Sequence, residues 1–372
     1  MRIGVPKEIK VREYRVGLTP NSVAELVSHG HEVVVETNAG IGIGCPDDTY
    51  VAAGAKILPD AASVFEAAEM IVKVKEPQPV ETAMLKPHHI LYTYLHLAPD
   101  PVQAEGLRKS GCTAIAYETV TDNAGRLPLL TPMSQVAGRM SVSVAAHCLQ
   151  KAQGGLGLML GGVPGVLPAK VVIIGGGVAG THAAEMAIGA RADVTVFDRS
   201  NARLAELDVQ FAGAVKTAYS TQAALDAAVR DADVVIGAVL IPGAAAPKLV
   251  TKAMLSEMKD GAVLVDIAID QGGCFETSKA TTHDDPTYVV DGVVHYCVAN
   301  MPGAYARTSA FALNNATLPH AIAIANKGVK QALNDDANLA RGLNVEAGEI
   351  SYKSVADDLG LPYVKPDWLT SI

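Results

Sequence analysis

The stretch AKVVIIGGGVAGTHAAEMAIGARADVTVFDRS, residues 169–200, restricts the possible folds more than any other part of this chain. A β-branched run leads directly into Gly175-x-Gly177-x-x-Gly180, which opens an alanine-rich helix, and a second β-branched run ends on Asp198. In a strand–turn–helix–strand context each glycine has a physical task. Gly175 permits the tight turn, Gly177 lets a pyrophosphate approach the backbone, and Gly180 lets helix and strand pack closely. The helix N-terminus then offers N–H groups and partial positive charge to phosphates. Asp198, roughly twenty residues on, places a carboxylate where it accepts hydrogen bonds from a ribose diol and repels a 2′-phosphate. The same glycines would also suit a turn needed only for packing, but the complete fingerprint favours a dinucleotide site, with NAD preferred over NADP. One feature pulls the other way: Arg199 and Arg203 follow Asp198, and an arginine there is the usual device for a 2′-phosphate.

The rest of the chain extends this alternation. RIGVPKE reads as a strand and TPNSVAELVSHG as a helix opened by Thr19-Pro20 and closed by Gly30. HEVVVETN, MIVKVK, HILYTYL and CTAIAYETV read as further strands, with helices at ASVFEAAE and PDPVQAEGLRKSG. Short β-branched runs alternating with helices predict parallel, doubly wound sheets. TPMSQVAGRMSVSVAAHCLQKAQGG predicts a helix of about 22 residues, roughly 33 Å long, enough to bridge two domains. Asp291-Gly292 is a hairpin signal. The tail from residue 307 reads as helical, kinked near Pro319. The expected class is therefore α/β, with two doubly wound Rossmann-like domains joined by long helices and a cleft between them. The expected boundaries are 1–129 with 307–372 for one domain and 130–306 for the nucleotide domain.

Composition narrows the partners. At 372 residues the chain exceeds the usual single domain, and 49% hydrophobic with 19% charged residues is the balance of a globular protein with a large core. A net charge of −9 argues against nucleic acid or an anionic membrane as the main partner. Cys45, Cys112, Cys148, Cys274 and Cys297 are odd in number, far apart and without a Cys-x-x-Cys pair, which suggests a reducing compartment. The start lacks the apolar core of a signal peptide. GLGLMLGGVPGVLPAKVVIIGGGVAG is broken by prolines, Lys170 and glycines, and reads as a loop and buried strand rather than a membrane span. A soluble, cytoplasmic protein is expected. No His/Asp/Glu group has metal-ligand spacing, so no catalytic metal is expected.

Ligands of open α/β sheets bind beyond the carboxyl ends of the strands. Lys75 in IVKVKEPQP and His96 in ILYTYLHLAPD stand at two such ends, Asp270 in GAVLVDIAIDQGG at a third, and Arg15 lies in a loop able to reach the same region. Alternation along 90–97 puts His96 on one side of its strand with Tyr92 and Tyr94. Each has a plainer reading: a strand-end histidine as a hydrogen-bonded structural residue, Arg15 and Lys75 as solvated surface, and Asp270 beside Gly272-Gly273 as a turn former.

Taken in order, MRIGVPKEIKVREYRVGLTP, VKVKEP, YLHLA, IGGGVAG, DIAIDQGG and VANMPGAYARTS resemble the alanine dehydrogenase family over essentially the whole chain. The resemblance implies oxidative deamination of L-alanine by NAD to pyruvate and ammonium, with the reverse amination, and a homohexamer. It implies that Arg15 and Lys75 hold the substrate carboxylate, that His96 is the general acid/base, and that Asp270 assists at the reacting carbon. It further implies that Ser134, Val178, Ala179, Arg203, Ser220, Val239, Leu240, Ile267, Asp270, Asn300 and Met301 line the cofactor site with the three glycines and Asp198. The nearest alternative is the NAD-binding component of proton-translocating transhydrogenase, which shares this architecture but acts on no amino acid. The quartet Arg15, Lys75, His96 and Asp270 speaks against it. So does the absence of a membrane segment after KPDWLTSI.

Overall fold

The structure, a computed structural model, describes residues 1–239 and 246–372. It divides into two compact units: Met1–Met133 with Tyr305–Ile372, and Ser134–Ala304. The division falls inside the helix Thr131–Cys148, which is shorter than the helix expected there and is followed by a 3₁₀ turn at Lys151–Gln153.

The first unit is built on an eight-stranded sheet. Its strands are β1 (Arg2–Val5), β2 (Glu32–Glu36), β3 (Lys56–Leu58), β4 (Met70–Val72), β5 (Ile90–Thr93), β6 (Thr113–Ala116) and, from the other end of the chain, β14 (Leu343–Glu346) and β15 (Glu349–Ile350). The order is β15-β14-β6-β5-β4-β1-β2-β3. Six strands are parallel, while β14 runs antiparallel to β6 and β15 antiparallel to β14. The tail is thus not wholly helical, as its sequence suggests. After the helix Ala306–Lys327, continuous through Pro319, it adds two strands to this sheet.

The second unit carries β7 (Lys170–Ile174), β8 (Asp193–Asp198), β9 (Lys216–Tyr219), β10 (Val234–Gly237), β11 (Val263–Asp266), β12 (Thr287–Val290) and β13 (Val293–Tyr296). Their order is β12-β13-β11-β10-β7-β8-β9, all parallel except β12. The hairpin between β12 and β13 turns at Asp291 and Gly292, with φ of 48° and 79°. Two consecutive positive φ values make the tight turn that this residue pair favours.

Both sheets are covered on both faces, as the near-continuous apolar strands require. In β5, Ile90 and Tyr92 enter one buried cluster while Leu91 enters another. In β10, Val234 and Ile236 face one cluster and Val235 the other. In each sheet the chain reverses winding direction at its first strand: β1 lies between β2 and β4, and β7 between β8 and β10. Carboxyl ends beside such a reversal are where an open sheet leaves room for a ligand. Among the described residues, no helix is long and apolar enough to cross a membrane.

Candidate functional site

The glycine turn sits at the reversal point of the second sheet, and the surrounding atoms require two of its glycines. Gly175 has φ +103°, and a Cβ there would stand 2.8 Å from the Ala238 carbonyl oxygen after β10. A Cβ on Gly180 would stand 1.8 Å from the Gly175 oxygen, so no larger residue fits while helix Val178–Gly189 keeps its place. Gly177 differs: among the described residues, a Cβ there would meet nothing within 4 Å. It caps the helix without any side-chain hydrogen bond, leaving an exposed, uncovered N-terminus. A bare backbone at this position is what the close approach of a phosphate would require. Val178 is exposed and Ala179 half-buried. A Cβ on Gly138, in the helix Thr131–Cys148, would stand 2.2 Å from the Ala179 oxygen, so that helix lies against the turn. Half-buried Ser134 is one helical turn earlier on the same face.

Asp198 ends β8 with its carboxylate fixed by two main-chain donors. Gly176 N–H reaches Oδ2 at 2.7 Å and Ser200 N–H reaches Oδ1 at 2.8 Å. Each oxygen keeps a further lone pair for a ribose hydroxyl. Arg203 closes the back of the turn: Nε donates to the Gly176 carbonyl and Nη2 to Thr181 Oγ1, both at 2.7 Å, while Nη1 pairs with Glu206. Each nitrogen of its guanidinium has a protein partner, while Arg199 is exposed. Ser220, past β9, donates its N–H to the Asp198 carbonyl at 2.9 Å. Half-buried Val239 lies beside Gly175. Leu240 falls outside the described residues.

Asp270 is exposed on a 3₁₀ turn, Ile267–Gln271, that leaves β11. The turn is anchored by Asp266, a residue sequence reasoning missed. Its buried carboxylate accepts from Ala268 N–H (3.0 Å), Cys274 N–H (2.9 Å) and the Ser278 hydroxyl. Burial raises its pKa, and these donors work the other way. Half-buried Ile267 packs on the core of the unit. Asp270 Oδ1 accepts from the N–H of Asn300, at 3.3 Å, and Met301 is buried next to it.

In the first unit, Lys75 and His96 each lie three residues past the ends of β4 and β5, and Arg15 lies in the loop after β1. The loop carrying Arg15 lies against the end of β4, where a Cβ on Gly17 would stand 2.2 Å from the Val72 oxygen. Arg15 is not solvated surface but 2% exposed. Glu13 grips it through Nε–Oε1 and Nη2–Oε2 contacts, both 2.6 Å, and Nη1 donates to Met133 Sδ at 2.9 Å. Burial works against the cation, but the Glu13 carboxylate outweighs it and holds the pKa above the ordinary arginine value.

Lys75 is half-buried, three residues past the end of β4, and its loop is tied down from below. The Lys75 carbonyl accepts from Thr93 Oγ1 at 3.0 Å. Glu8 Oε1 accepts from Val74 N–H at 2.6 Å and from Lys75 N–H at 3.4 Å. The other Glu8 oxygen meets Lys73, fully buried, whose ammonium also bonds Glu81 at 2.7 Å. In the sequence Lys73 and Lys75 look equivalent; here Lys73 is fully buried in ion pairs and Lys75 is half-buried.

His96 corrects the expected alternation. The strand β5 ends at Thr93, and His96 lies beyond it with φ +49°, in the left-handed region, so strand alternation does not extend to it. Glu118 stabilises this conformation, accepting from His96 N–H at 2.6 Å and from Leu95 N–H at 3.2 Å. Gln103 donates to the Leu95 carbonyl at 2.8 Å. The half-exposed imidazole stacks on Tyr94, with ring centroids 5.8 Å apart and planes 4° apart. The Tyr94 hydroxyl is bonded to the Leu129 carbonyl at 2.6 Å. Glu13 and Glu118, both missed from sequence, orient the two residues they touch.

Residues 4–137 match the family described as alanine dehydrogenase/PNT, N-terminal domain, and residues 141–353 match alanine dehydrogenase/PNT, C-terminal domain. An alanine dehydrogenase of Halomonas elongata is 60% identical over 98% of both chains. A solved L-alanine dehydrogenase superposes with a TM-score of 0.94 at 52% identity, covering 97% of this chain and 99% of the other. A transhydrogenase of Sinorhizobium meliloti follows at a TM-score of 0.80 and 26% identity, covering 95% and 99%. Matched over nearly its whole length by both domain descriptions, this chain belongs to the alanine dehydrogenase/PNT family.

Proposed function

We propose that the protein is an NAD-dependent alanine dehydrogenase, oxidising L-alanine to pyruvate, ammonium and NADH and running the reverse amination. The observation that carries this reading is 60% identity over 98% of the chain to a protein named alanine dehydrogenase, against 26% for the transhydrogenase. Residues 1–129 with 307–372 form the substrate domain, and 130–306 the nucleotide domain. When bound, NAD would supply the acceptor for a hydride from the substrate Cα. The open Gly177 turn, the two-donor setting of Asp198 and the engaged Arg203 fit a dinucleotide without a 2′-phosphate. Ser134, Val178, Ala179, Ser220, Val239, Ile267, Asn300 and Met301 line the cofactor.

The remaining chemistry falls to side chains. Arg15, oriented by Glu13, and the Lys75 ammonium supply the two positive charges that hold the substrate carboxylate. This two-point grip fixes the direction of the Cα–H bond. Deamination then needs a water to lose a proton and an amine to gain one. His96 serves both steps, since an imidazole can accept a proton at one ring nitrogen and return it as an acid. Asp270 stabilises positive charge developing at the amine or orients the water.

The enzyme acts in amino-acid catabolism in the cytoplasm, in keeping with five buried cysteines that form no disulfide. It assembles as a homohexamer. A self-association surface is supported by Met159, Val163, Val166 and Leu167, apolar and exposed around the short pairing of Val163 with Val166. Mixing the purified protein with NAD and L-alanine tests the activity by the appearance of NADH. A protein that binds NADH but never reduces NAD with alanine or another amino acid is not this enzyme. Light scattering on the same sample tests the hexamer.

A further inference from the structure

We propose that His283 is a positioning residue for Asp270, acting through the main chain of Asn300; this rests on the dehydrogenase reading above. Asn300 has φ +59°, a left-handed conformation that L side chains seldom adopt. Its two main-chain polar groups point to different partners. The N–H donates to Asp270 Oδ1 at 3.3 Å. The carbonyl accepts from Gly303 N–H at 2.9 Å, beginning the 3₁₀ turn Met301–Tyr305, and meets His283 Nε2 at 3.2 Å. A carbonyl only accepts, so Nε2 carries the proton in this contact.

His283 is half-buried on a segment that is itself fastened to the strand leading into Asn300. Thr281 pairs in parallel with Val298, donating its N–H to the Cys297 carbonyl at 2.9 Å and accepting from Ala299 N–H at 3.1 Å. Thr281 Oγ1 also bonds the Pro286 carbonyl at 3.0 Å, which closes the turn carrying His283. The imidazole therefore reaches Asn300 from a fixed support. Together with the Gly303 N–H, it holds the carbonyl and so supports the left-handed backbone at Asn300, whose N–H donates to the Asp270 carboxylate. The turn beneath Asp270 has its own anchor in Asp266, as described above, so loss of His283 releases the carboxylate without melting the turn.

The test is steady-state kinetics of full-length His283→Leu and His283→Gln with L-alanine and NAD, together with the NADH dissociation constant from its fluorescence. A small misplacement at a reacting group costs on the order of ten- to a hundredfold in rate. The Leu variant should lose about tenfold or more in kcat, with the alanine KM and the NADH dissociation constant changed by no more than about twofold. The Gln variant offers a side-chain N–H at a similar reach and should keep about half of the wild-type kcat or more. If the Leu variant fails to fold, His283→Asn, polar but too short to reach Asn300, takes its place. Wild-type kcat in the Leu or Asn variant overturns the proposal, as does equal loss in the Gln variant. A rise in the NADH dissociation constant that matches the loss of rate also overturns it, since His283 would then only support the cofactor pocket. A wild-type protein that does not oxidise alanine sinks the dehydrogenase reading instead, a result seen before any variant is made.

Discussion

The main-chain N–H of His96 donates to Glu118 Oε1 at 2.6 Å, and the ring Nδ1 stands 3.8 Å from the same oxygen. One carboxylate thus fixes the backbone of the imidazole and lies close enough to take up its ring N–H with a small rotation.

Glu118→Ala should lower kcat by about ten- to a hundredfold, because His96 then relaxes out of its left-handed conformation. Glu118→Gln, whose amide oxygen still accepts from the His96 N–H, should lose less. His96→Ala should cost about two or more orders of magnitude while NADH binding persists. Turnover near the wild-type value in the His96 variant refutes its acid/base role.

Asp198→Ala should reduce the preference for NAD over NADP by about tenfold or more, since the carboxylate that repels a 2′-phosphate is gone. Efficiency with NAD should also drop, because the Gly176 and Ser200 N–H groups lose their acceptor. The ratio of kcat/KM for the two cofactors is the measurement, and an unchanged ratio defeats the ribose assignment.

Lys73→Met leaves Glu8 and Glu81 buried without their cation. Breaking such a group from one side costs about 3–5 kcal/mol, whereas neutralising the whole set costs much less. Urea unfolding should therefore show a large loss for the single variant and a smaller one for Lys73→Met with Glu8→Gln and Glu81→Gln. A single variant as stable as the wild type shows that the buried pairs contribute nothing to stability.

Stability should fall as the pH drops below neutrality. His89 is fully buried; its Nδ1 accepts from Lys86 N–H and its Nε2 donates to the Phe65 carbonyl, each at 2.9 Å. Protonating Nδ1 breaks the first bond. Burial lowers its pKa below the ordinary value, and those of His295 and His320 likewise. The unfolded chain then binds more protons than the folded one. The contribution is complete above pH about 6.5 and is lost as pH falls through the lowered values. Melting temperatures between pH 7.5 and 5 report it, and His89→Phe should flatten the slope. A wild-type slope of zero contradicts the assignment.

The two sheets were legible where the information is local. The glycine spacing, the β-branched run before it and the position of Asp198 all lie within one strand–helix–strand unit, and Asp291-Gly292 encodes its own turn. The site was less legible because its supports come from far along the chain. His96 meets Glu118 across 22 residues and Lys73 meets Glu8 across 65. Nothing in VKVKEP tells which lysine is buried, since alternation treats Lys73 and Lys75 alike. The left-handed bend at His96 also has no local signal, because a histidine after an apolar run reads as more strand. The tail hides a hairpin in LNVEAGEI, where Ala347 and Gly348 take φ of 49° and 88°. Each of its strands is too short to stand out.

That hairpin bears on the order in which the molecule can be made. The Thr113 hydroxyl on β6 bonds Glu346 on β14, 233 positions later. A chain leaving the ribosome completes every strand of the second sheet before β14 exists. Until then β6 waits as an open rim, with main-chain groups able to pair with any passing strand. Truncations and fusions at the carboxyl end therefore act on the amino-terminal half, and a chaperone guarding nascent copies would be needed there first.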